Sequence, residues 1–199
     1  MNDLAVIILA ACDQKRWATE GFKQMLPVWG KPVIHRTVQQ VRDSYGVEPI
    51  IAVKHGQPFG HNFTYFYPDD HRIICDTFGS TKSLWQRETI LLMGDACYTD
   101  ECISTIGSLN YFAFGKGAEI FGVKFFSGQW ERVEKAIEAA KVYARRTGNG
   151  KIWNVYRAYE GFGQEEHKFG GNFYKLPDGD TTIDFDKIEK YQRWLDTHG

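Results

Sequence analysis

The sequence predicts an α/β fold on a mostly parallel sheet flanked by helices, and three observations predict it. Apolar runs of strand length, Val6 to Leu9 and Thr89 to Met93 above all, are continuous rather than alternating, which suits strands covered on both faces. Stretches with helical apolar spacing separate such runs, most clearly in the first half of the chain. The length of 199 residues, 43% hydrophobic and 25% charged, is enough to bury one full core.

The elements follow in order. Val6 to Leu9 is a buried strand, and the polar loop behind it carries Lys15, Arg16 and Lys23. Pro32 opens a helix in which Val33, Ile34, Val38 and Val41 share a face as far as Asp43. Gly46 stops it, and Pro49 to Val53 is a second strand, giving a right-handed crossover unit. His55 to Asp70 holds two prolines, two glycines and an aromatic cluster; it reads as a surface loop or an added hairpin. Arg72 to Cys75 reads as a third short strand. Gly79 to Ser83 is a polar turn into a helix with Leu84 and Trp85.

Thr89 to Met93 is a strand ended by Gly94-Asp95. Thr99 is placed to N-cap a short helix with Glu101 in its first turn. Tyr111 to Phe114 and Glu119 to Phe126 are strands. Ser127 to Arg146 is the clearest helix, with Arg145 and Arg146 in its last turn and Gly148 as its stop. Ile152 to Tyr159 alternates and reads as a strand, Gly161 to Gly171 as a mobile glycine-rich loop, and Phe173 to Leu176 as a further strand. Thr182 to Phe185 leads into a last helix with Ile188, Tyr191, Trp194 and Leu195 on its apolar face.

Composition narrows the function. A net charge of −1 supplies no global basic field for nucleic acid. None of the four cysteines forms a C-x-x-C pair, so no zinc site is expected. No basic leader precedes the first apolar run, and no run approaches the ~18 residues of a membrane span. A cytoplasmic protein with reduced thiols is the expectation.

Ligands of open α/β sheets bind beyond the carboxyl ends of the strands. Lys15, Arg16 and Lys23 follow the first strand, Asp95 follows Met93, and Asp184 and Asp186 come near the end of the chain. Cations together with carboxylates at one sheet edge fit a metal-bound nucleotide, because Mg²⁺ takes one or two carboxylates plus phosphate oxygens. Each residue has a plainer alternative. Arg16 and Lys23 can be solvated loop charges, and Asp95 a turn residue. Asp186 with Glu189 three residues on forms a capping-box pattern, the role that spacing alone favours.

The chain also resembles a family. Leu9-Ala10-Ala11-Cys12-Asp13-Gln14-Lys15-Arg16, then Phe22-Lys23-Gln24-Met25-Leu26-Pro27-Val28-Trp29-Gly30-Lys31-Pro32-Val33, resembles the opening of nucleotidyltransferases with a glycosyltransferase-A-like fold. These include the sugar-phosphate nucleotidylyltransferases and the guanylyltransferase of molybdenum-cofactor synthesis, whose opening reads L-A-A-G-x-G-x-R and then P-K-x-L-x-P-x-x-G-K-P. Gly79-Ser80-Thr81-Lys82-Ser83-Leu84 resembles their Gly-x-x-x-Ser-Leu segment, and Leu91-Leu92-Met93-Gly94-Asp95 their hydrophobic-Gly-Asp motif. Asp184-Phe185-Asp186-Lys187-Ile188-Glu189-Lys190-Tyr191 resembles their closing D-I-D-x-x-E-D-Y.

The resemblance implies a single Rossmann-like domain over 1–199 of the nucleotide-diphospho-sugar transferase type. Within it, 1–110 would be the nucleotide-binding part and 111–199 the acceptor-side part with the C-terminal helix. Arg16 and Lys23 would hold phosphates and serve catalysis. Leu9, Ala10 and Ala11, with Thr81 and Ser83, would hold base and ribose, and Asp95 with Asp186 (or Asp184) would bind Mg²⁺. The reaction implied is attack of a small phosphorylated acceptor, a sugar phosphate by preference, on the α-phosphate of a nucleoside triphosphate, releasing pyrophosphate. Neither nucleic acid nor membrane is expected as a partner.

One departure stands out. Cys12-Asp13-Gln14 replaces the family's G-x-G, whose glycines let the backbone approach the triphosphate. Either the loop binds its nucleotide in another pose, or catalysis is weakened or lost and the chain is a nucleotide-binding or regulatory domain. A glycosyltransferase using a nucleotide-sugar is the remaining alternative, and Asp95-Ala96-Cys97 in place of Asp-x-Asp argues against it.

Overall fold

The computed structural model describes residues 3–11, 21–56 and 59–198. In chain order the strands are β1 (Leu4–Leu9), β2 (Pro27–Val28), β3 (Lys31–Pro32), β4 (Ile50–Ala52), β5 (Thr64–Phe66), β6 (Glu88–Met93), β7 (Ala96–Cys97), β8 (Ala113–Lys116), β9 (Glu119–Phe126), β10 (Phe173–Lys175) and β11 (Ile183–Asp184). The α-helices are α1 (Val33–Tyr45), α2 (Ile74–Ser80), α3 (Asp100–Ser108), α4 (Trp130–Thr147), α5 (Ile152–Glu160) and α6 (Ile188–His198).

Seven strands form one sheet in the order β10-β8-β9-β6-β1-β4-β5. β1 pairs in parallel with both β4 and β6, β5 with β4, and β10 with β8; only β9 runs antiparallel to its two neighbours. Val6 to Leu9 and Ile90 to Leu92 are buried on both faces, as continuous apolar runs require. Helix α1 packs on α3, and α4 packs on α2 and α5.

Local chemistry explains most elements. Helix α1 ends on Gly46 and α4 on Gly148, both left-handed at φ 65° and 73°, where a side chain would be strained. The Thr99 hydroxyl accepts the Cys102 N–H at 3.0 Å, the expected N-cap of α3.

Several sequence expectations are corrected. Arg72 to Cys75 is not a strand: Ile73 is extended, and α2 begins at Ile74 because Cys75 and Phe78, three apart, bury on one helical face. Gly79 and Ser80 finish that helix, Thr81–Leu84 is a 3-10 turn, and Trp85 is already extended, so no helix carries Leu84 and Trp85 onward. Ile152 to Tyr159 is helix α5 rather than a strand, since Ile152, Val155, Tyr156 and Tyr159 are buried at helical spacing. The segment 55–70 contributes β5, a parallel edge strand beside β4, and so is neither plain loop nor hairpin. Leu195 is exposed on α6, while Tyr191 and Trp194 are buried.

A smaller second core seals the far end of the opening motif. The two-residue turn Trp29-Gly30 joins β2 to β3 with φ 45° and 76°, the positive pair that a tight hairpin of this twist needs. Val28 and Val33 pack with Cys97, Phe185, Tyr191 and Trp194. The Tyr191 hydroxyl donates to Pro27 O at 2.8 Å, so α6 is docked on the hairpin.

Candidate nucleotide-binding site

Because β1 and β6 are parallel neighbours with Leu9 opposite Met93, the segments after both strands meet at one edge of the sheet. Gly94 N–H donates to Leu9 O at 3.0 Å, and a Cβ on Gly94 would stand 2.9 Å from that same oxygen. Only glycine permits this approach, and it turns the chain so that Asp95 faces the space above the strand ends.

Lys23 arrives from the other side. It opens a 3-10 turn, Lys23–Met25, between extended Phe22 and extended Leu26. The proline at position 27 favours that extended conformation at Leu26. The Phe22 ring stands edge-on to Phe59, with centroids 5.8 Å apart, and fixes the turn against the core. The Lys23 ammonium forms an ion pair with the Asp95 carboxylate, their side chains 14% and 19% exposed.

The end of the chain closes the site. β11 pairs antiparallel with β7, setting Asp184 opposite Ala96, and Phe185 N–H donates to Asp95 O at 3.1 Å. Asp184 therefore lies next to Asp95. Its Oδ1 is buried without a hydrogen-bond partner among the described residues. Burial, first, and then the charge of Asp95 push its carboxyl well above the usual carboxylate range, with Lys23 opposing. Asp186 is held differently: Lys190 Nζ sits 2.8 Å from its Oδ1 and also pairs with Glu119 at the start of β9. Helix α6 starts at Ile188, so Asp186 precedes the position flanking the helix and its carboxylate serves an ion pair.

These groups line a cavity of about 540 Å³, within the range of small-molecule sites. Leu9 and Ala10 form part of it, with Lys23, Asp95, Asp184 and Asp186 at one end. Arg72 to Ile74 and the α4–α5 connection, Gly148 to Trp153, also line it. That connection is tight, since a Cβ on Gly150 would meet Ile73 Cβ at 2.6 Å. Arg72 is gripped in two-pronged fashion by Asp70, at 3.0 and 2.7 Å, and the guanidinium lowers the Asp70 carboxyl to about 2.

Sequence reasoning placed Lys23, Asp95, Asp184, Asp186, Leu9 and Ala10 at this edge, and the fold gathers them there. Thr81 and Ser83 lie elsewhere. Thr81 is fully buried and its hydroxyl is engaged on both sides, donating to Phe78 O at 2.7 Å and accepting from Trp85 Nε1 at 3.1 Å. Ser83 is exposed and does not line the cavity. Arg16, Lys15 and Cys12-Asp13-Gln14 lie outside the described residues. Gln24 was missed: it lines the cavity, is 3% exposed, and its Oε1 has no partner among the described residues. Its only sequence signal is its place directly after Lys23.

The donor set suits a hard cation. Among the described residues no cluster of three or more His, Cys, Asp or Glu side chains is arranged to hold a metal ion. Mg²⁺ does not require one, since it commonly takes one or two carboxylates and completes its shell with waters and phosphate oxygens. The unpartnered Asp184 oxygen beside Asp95 matches that two-carboxylate pattern.

No protein-family model and no curated protein matches the chain in sequence. Solved structures do match. A nucleotidyl transferase from Methanothermobacter thermautotroptrophicus superposes with a TM-score of 0.69 at 13% identity, covering 100% of this chain and 98% of that one. The CTP:phosphocholine cytidylyltransferase of Streptococcus pneumoniae gives 0.64 at 12% identity, over 98% and 99%. The bifunctional IspDF of Campylobacter jejuni gives 0.65 at 13% identity, over 96% of this chain and 54% of that one. The chain thus has the mostly parallel α/β fold found in these nucleotidyltransferases, over its whole length.

Proposed function

We propose that the protein is a Mg²⁺-dependent nucleotidyltransferase that joins a nucleoside triphosphate to a small phosphorylated acceptor, a sugar phosphate by preference, and releases pyrophosphate. The observation that carries this reading is the Lys23–Asp95 pair beside Asp184, whose Oδ1 has no hydrogen-bond partner among the described residues, at the ligand-binding edge of a fold shared with nucleotidyltransferases. The cytoplasm is the proposed compartment; no described helix is long and apolar enough to cross a membrane.

In this reading Lys23 exchanges its carboxylate partner for the phosphates of the nucleotide. Asp95 and Asp184 hold the cation, which supplies positive charge against the phosphate oxygens. Asp184 takes the role of second ligand in preference to Asp186, whose carboxylate Lys190 occupies. The Gln24 amide, buried in the cavity lining, offers to a donor of the ligand its oxygen, which has no partner among the described residues. Arg16 joins Lys23 on the phosphates. The acceptor phosphate then attacks the α-phosphorus in line with the departing pyrophosphate. Positioning and charge neutralisation supply most of the rate enhancement.

The test is calorimetric titration with the four nucleoside triphosphates in the presence of Mg²⁺, on the wild type and on Asp95→Asn. One triphosphate should bind the wild type, and Asp95→Asn should lose the Mg²⁺-dependent part of that affinity. Absence of binding to all four would overturn the reading. Equal Mg²⁺ dependence in the variant would overturn the site assignment.

A further inference from the structure

Among the described residues, the carboxylates of Asp95, Glu119, Asp184 and Asp186 line the cavity, and the ammonium groups of Lys23 and Lys190 pair with them. Lys23 stands on a short turn and faces the open cavity. Lys190 is placed differently. It projects from α6, is 21% exposed, and grips two carboxylates from separate parts of the chain: Asp186 just before its own helix and Glu119 on β9. A polyphosphate in the cavity can draw Lys23 away from Asp95. Lys190, anchored at two points, stays.

We propose that Lys190 is a fixed counter-cation that keeps the affinity of the site for free divalent ions low until a nucleotide is present. The inference rests on the reading that this site holds a divalent cation. In the nucleotide-free protein, Asp95 is neutralised by Lys23, and Asp186 and Glu119 by Lys190. Asp184 Oδ1 is buried without a hydrogen-bond partner among the described residues. Among the described residues, a divalent ion arriving without phosphate therefore meets the open Asp184 oxygen and the ammonium groups of Lys23 and Lys190. With a triphosphate, Lys23 is redirected, Asp95 opens, and the phosphates bring further oxygen ligands. Lys190 continues to withhold Asp186 and Glu119, so few protein ligands would hold the ion once the product phosphate departs. The residue is a positioning residue, acting on the metal through the carboxylates it restrains.

The experiment is Mn²⁺ titration followed by electron paramagnetic resonance on the nucleotide-free full-length chain, comparing wild type, Lys190→Met, Lys190→Gln and Lys190→Arg. The wild type should bind Mn²⁺ weakly. Lys190→Met and Lys190→Gln should each bind it about tenfold more tightly or better, because Lys190 no longer restrains Asp186 and Glu119 and one repelling charge is gone. Lys190→Arg should stay within about twofold of the wild type, since it keeps the charge. A latch that merely joins α6 to β9 would lower thermal stability in the neutral variants without tightening Mn²⁺. If one neutral variant does not fold, the other is read in the same way. Unchanged Mn²⁺ affinity in the folded neutral variants overturns the proposal, and so does equal tightening in Lys190→Arg. The wild type is also titrated with Mn²⁺ and a non-hydrolysable triphosphate. Binding there, with no tightening in the neutral variants, fails the Lys190 proposal alone. No Mn²⁺ binding by any variant under either condition fails the metal reading beneath it.

Discussion

The Lys23 ammonium is ion-paired with the Asp95 carboxylate, and this pair joins the segment entering the β2–β3 hairpin to the turn that ends β6. Each group partly desolvates the other, so each depends on its partner when no ligand is present. Removing the lysine leaves four acidic groups, Asp95, Glu119, Asp184 and Asp186, lining the cavity, with Lys190 as their remaining cation among the described residues. Lys23→Ala should therefore lower turnover by about 10²- to 10³-fold, the scale for losing one charge-stabilising donor. Steady-state kinetics on the proposed reaction check this; a loss below about threefold would place phosphate binding elsewhere.

Asp184 links pH to stability, and the sign follows from its shift. Its folded-state carboxyl titrates well above the unfolded value of about 4. The folded chain thus binds the extra proton, and the contribution of this group to stability falls as pH rises from about 4 to the raised folded value. Asp184→Asn removes the buried charge. The variant should be more stable than the wild type at neutral pH, with the advantage shrinking below about pH 4, while turnover falls by more than about 10²-fold. Denaturant midpoints measured across pH, alongside kinetics, test both halves. A less stable variant at neutral pH would contradict this account of Asp184.

Thr81 separates a core role from a nucleotide contact. Its hydroxyl bridges Phe78 O and Trp85 Nε1 in the buried interior. Thr81→Val should cost about 1–3 kcal/mol, because the indole N–H and the carbonyl are both left wanting. Thr81→Ser should recover most of that. Triphosphate affinity, measured well below the unfolding transition, should be unchanged in both. A nucleotide affinity that falls in step with loss of the methyl or hydroxyl would restore Thr81 to the site.

Gly94 is the hinge that lets Asp95 face the cavity. An alanine methyl there would press on Leu9 O at 2.9 Å and on Ala10 Cβ at 3.0 Å, and neither is a flexible side-chain end. Gly94→Ala should destabilise the fold by about 1–3 kcal/mol through overpacking. It should also lower turnover beyond the loss of folded protein, since β1 and β6 must part at the site. Chemical denaturation and activity per folded molecule give the two readings.

Much of this was legible in the sequence where one physical signal dominated. The continuous apolar runs gave β1 and β6, helical spacing with a glycine stop gave α1 and α4, and Thr99 announced the cap of α3. The segments that misled were short and doubly apolar. In Ile152 to Tyr159 a period of two and a period near 3.6 both fit, and burial of Ile152, Val155, Tyr156 and Tyr159 decides for the helix. At Arg72 to Cys75 two adjacent isoleucines imitate a strand, yet Ile74 opens a helix whose buried face only tertiary packing reveals.

The site divides the same way. Lys23 and Asp95 follow predictable elements, so their meeting could be foreseen from parallel neighbours alone. That Asp186 pairs with Lys190 while Asp184 stands beside Asp95 could not, because it turns on the β7–β11 pairing and on the packing of α6. Gln24 went unread because nothing in a polar stretch distinguishes a buried amide from an exposed one.

The most direct measurement follows phosphorus by NMR during incubation of the wild-type chain with Mg²⁺, the triphosphate that binds, and a panel of phosphorylated acceptors led by sugar phosphates. Nucleotidyl transfer predicts that the acceptor monophosphate signal is replaced by a pair of coupled diphosphate resonances, with an equal amount of pyrophosphate. Tight triphosphate binding with unchanged spectra across the panel would contradict the account and leave a binding domain on this fold.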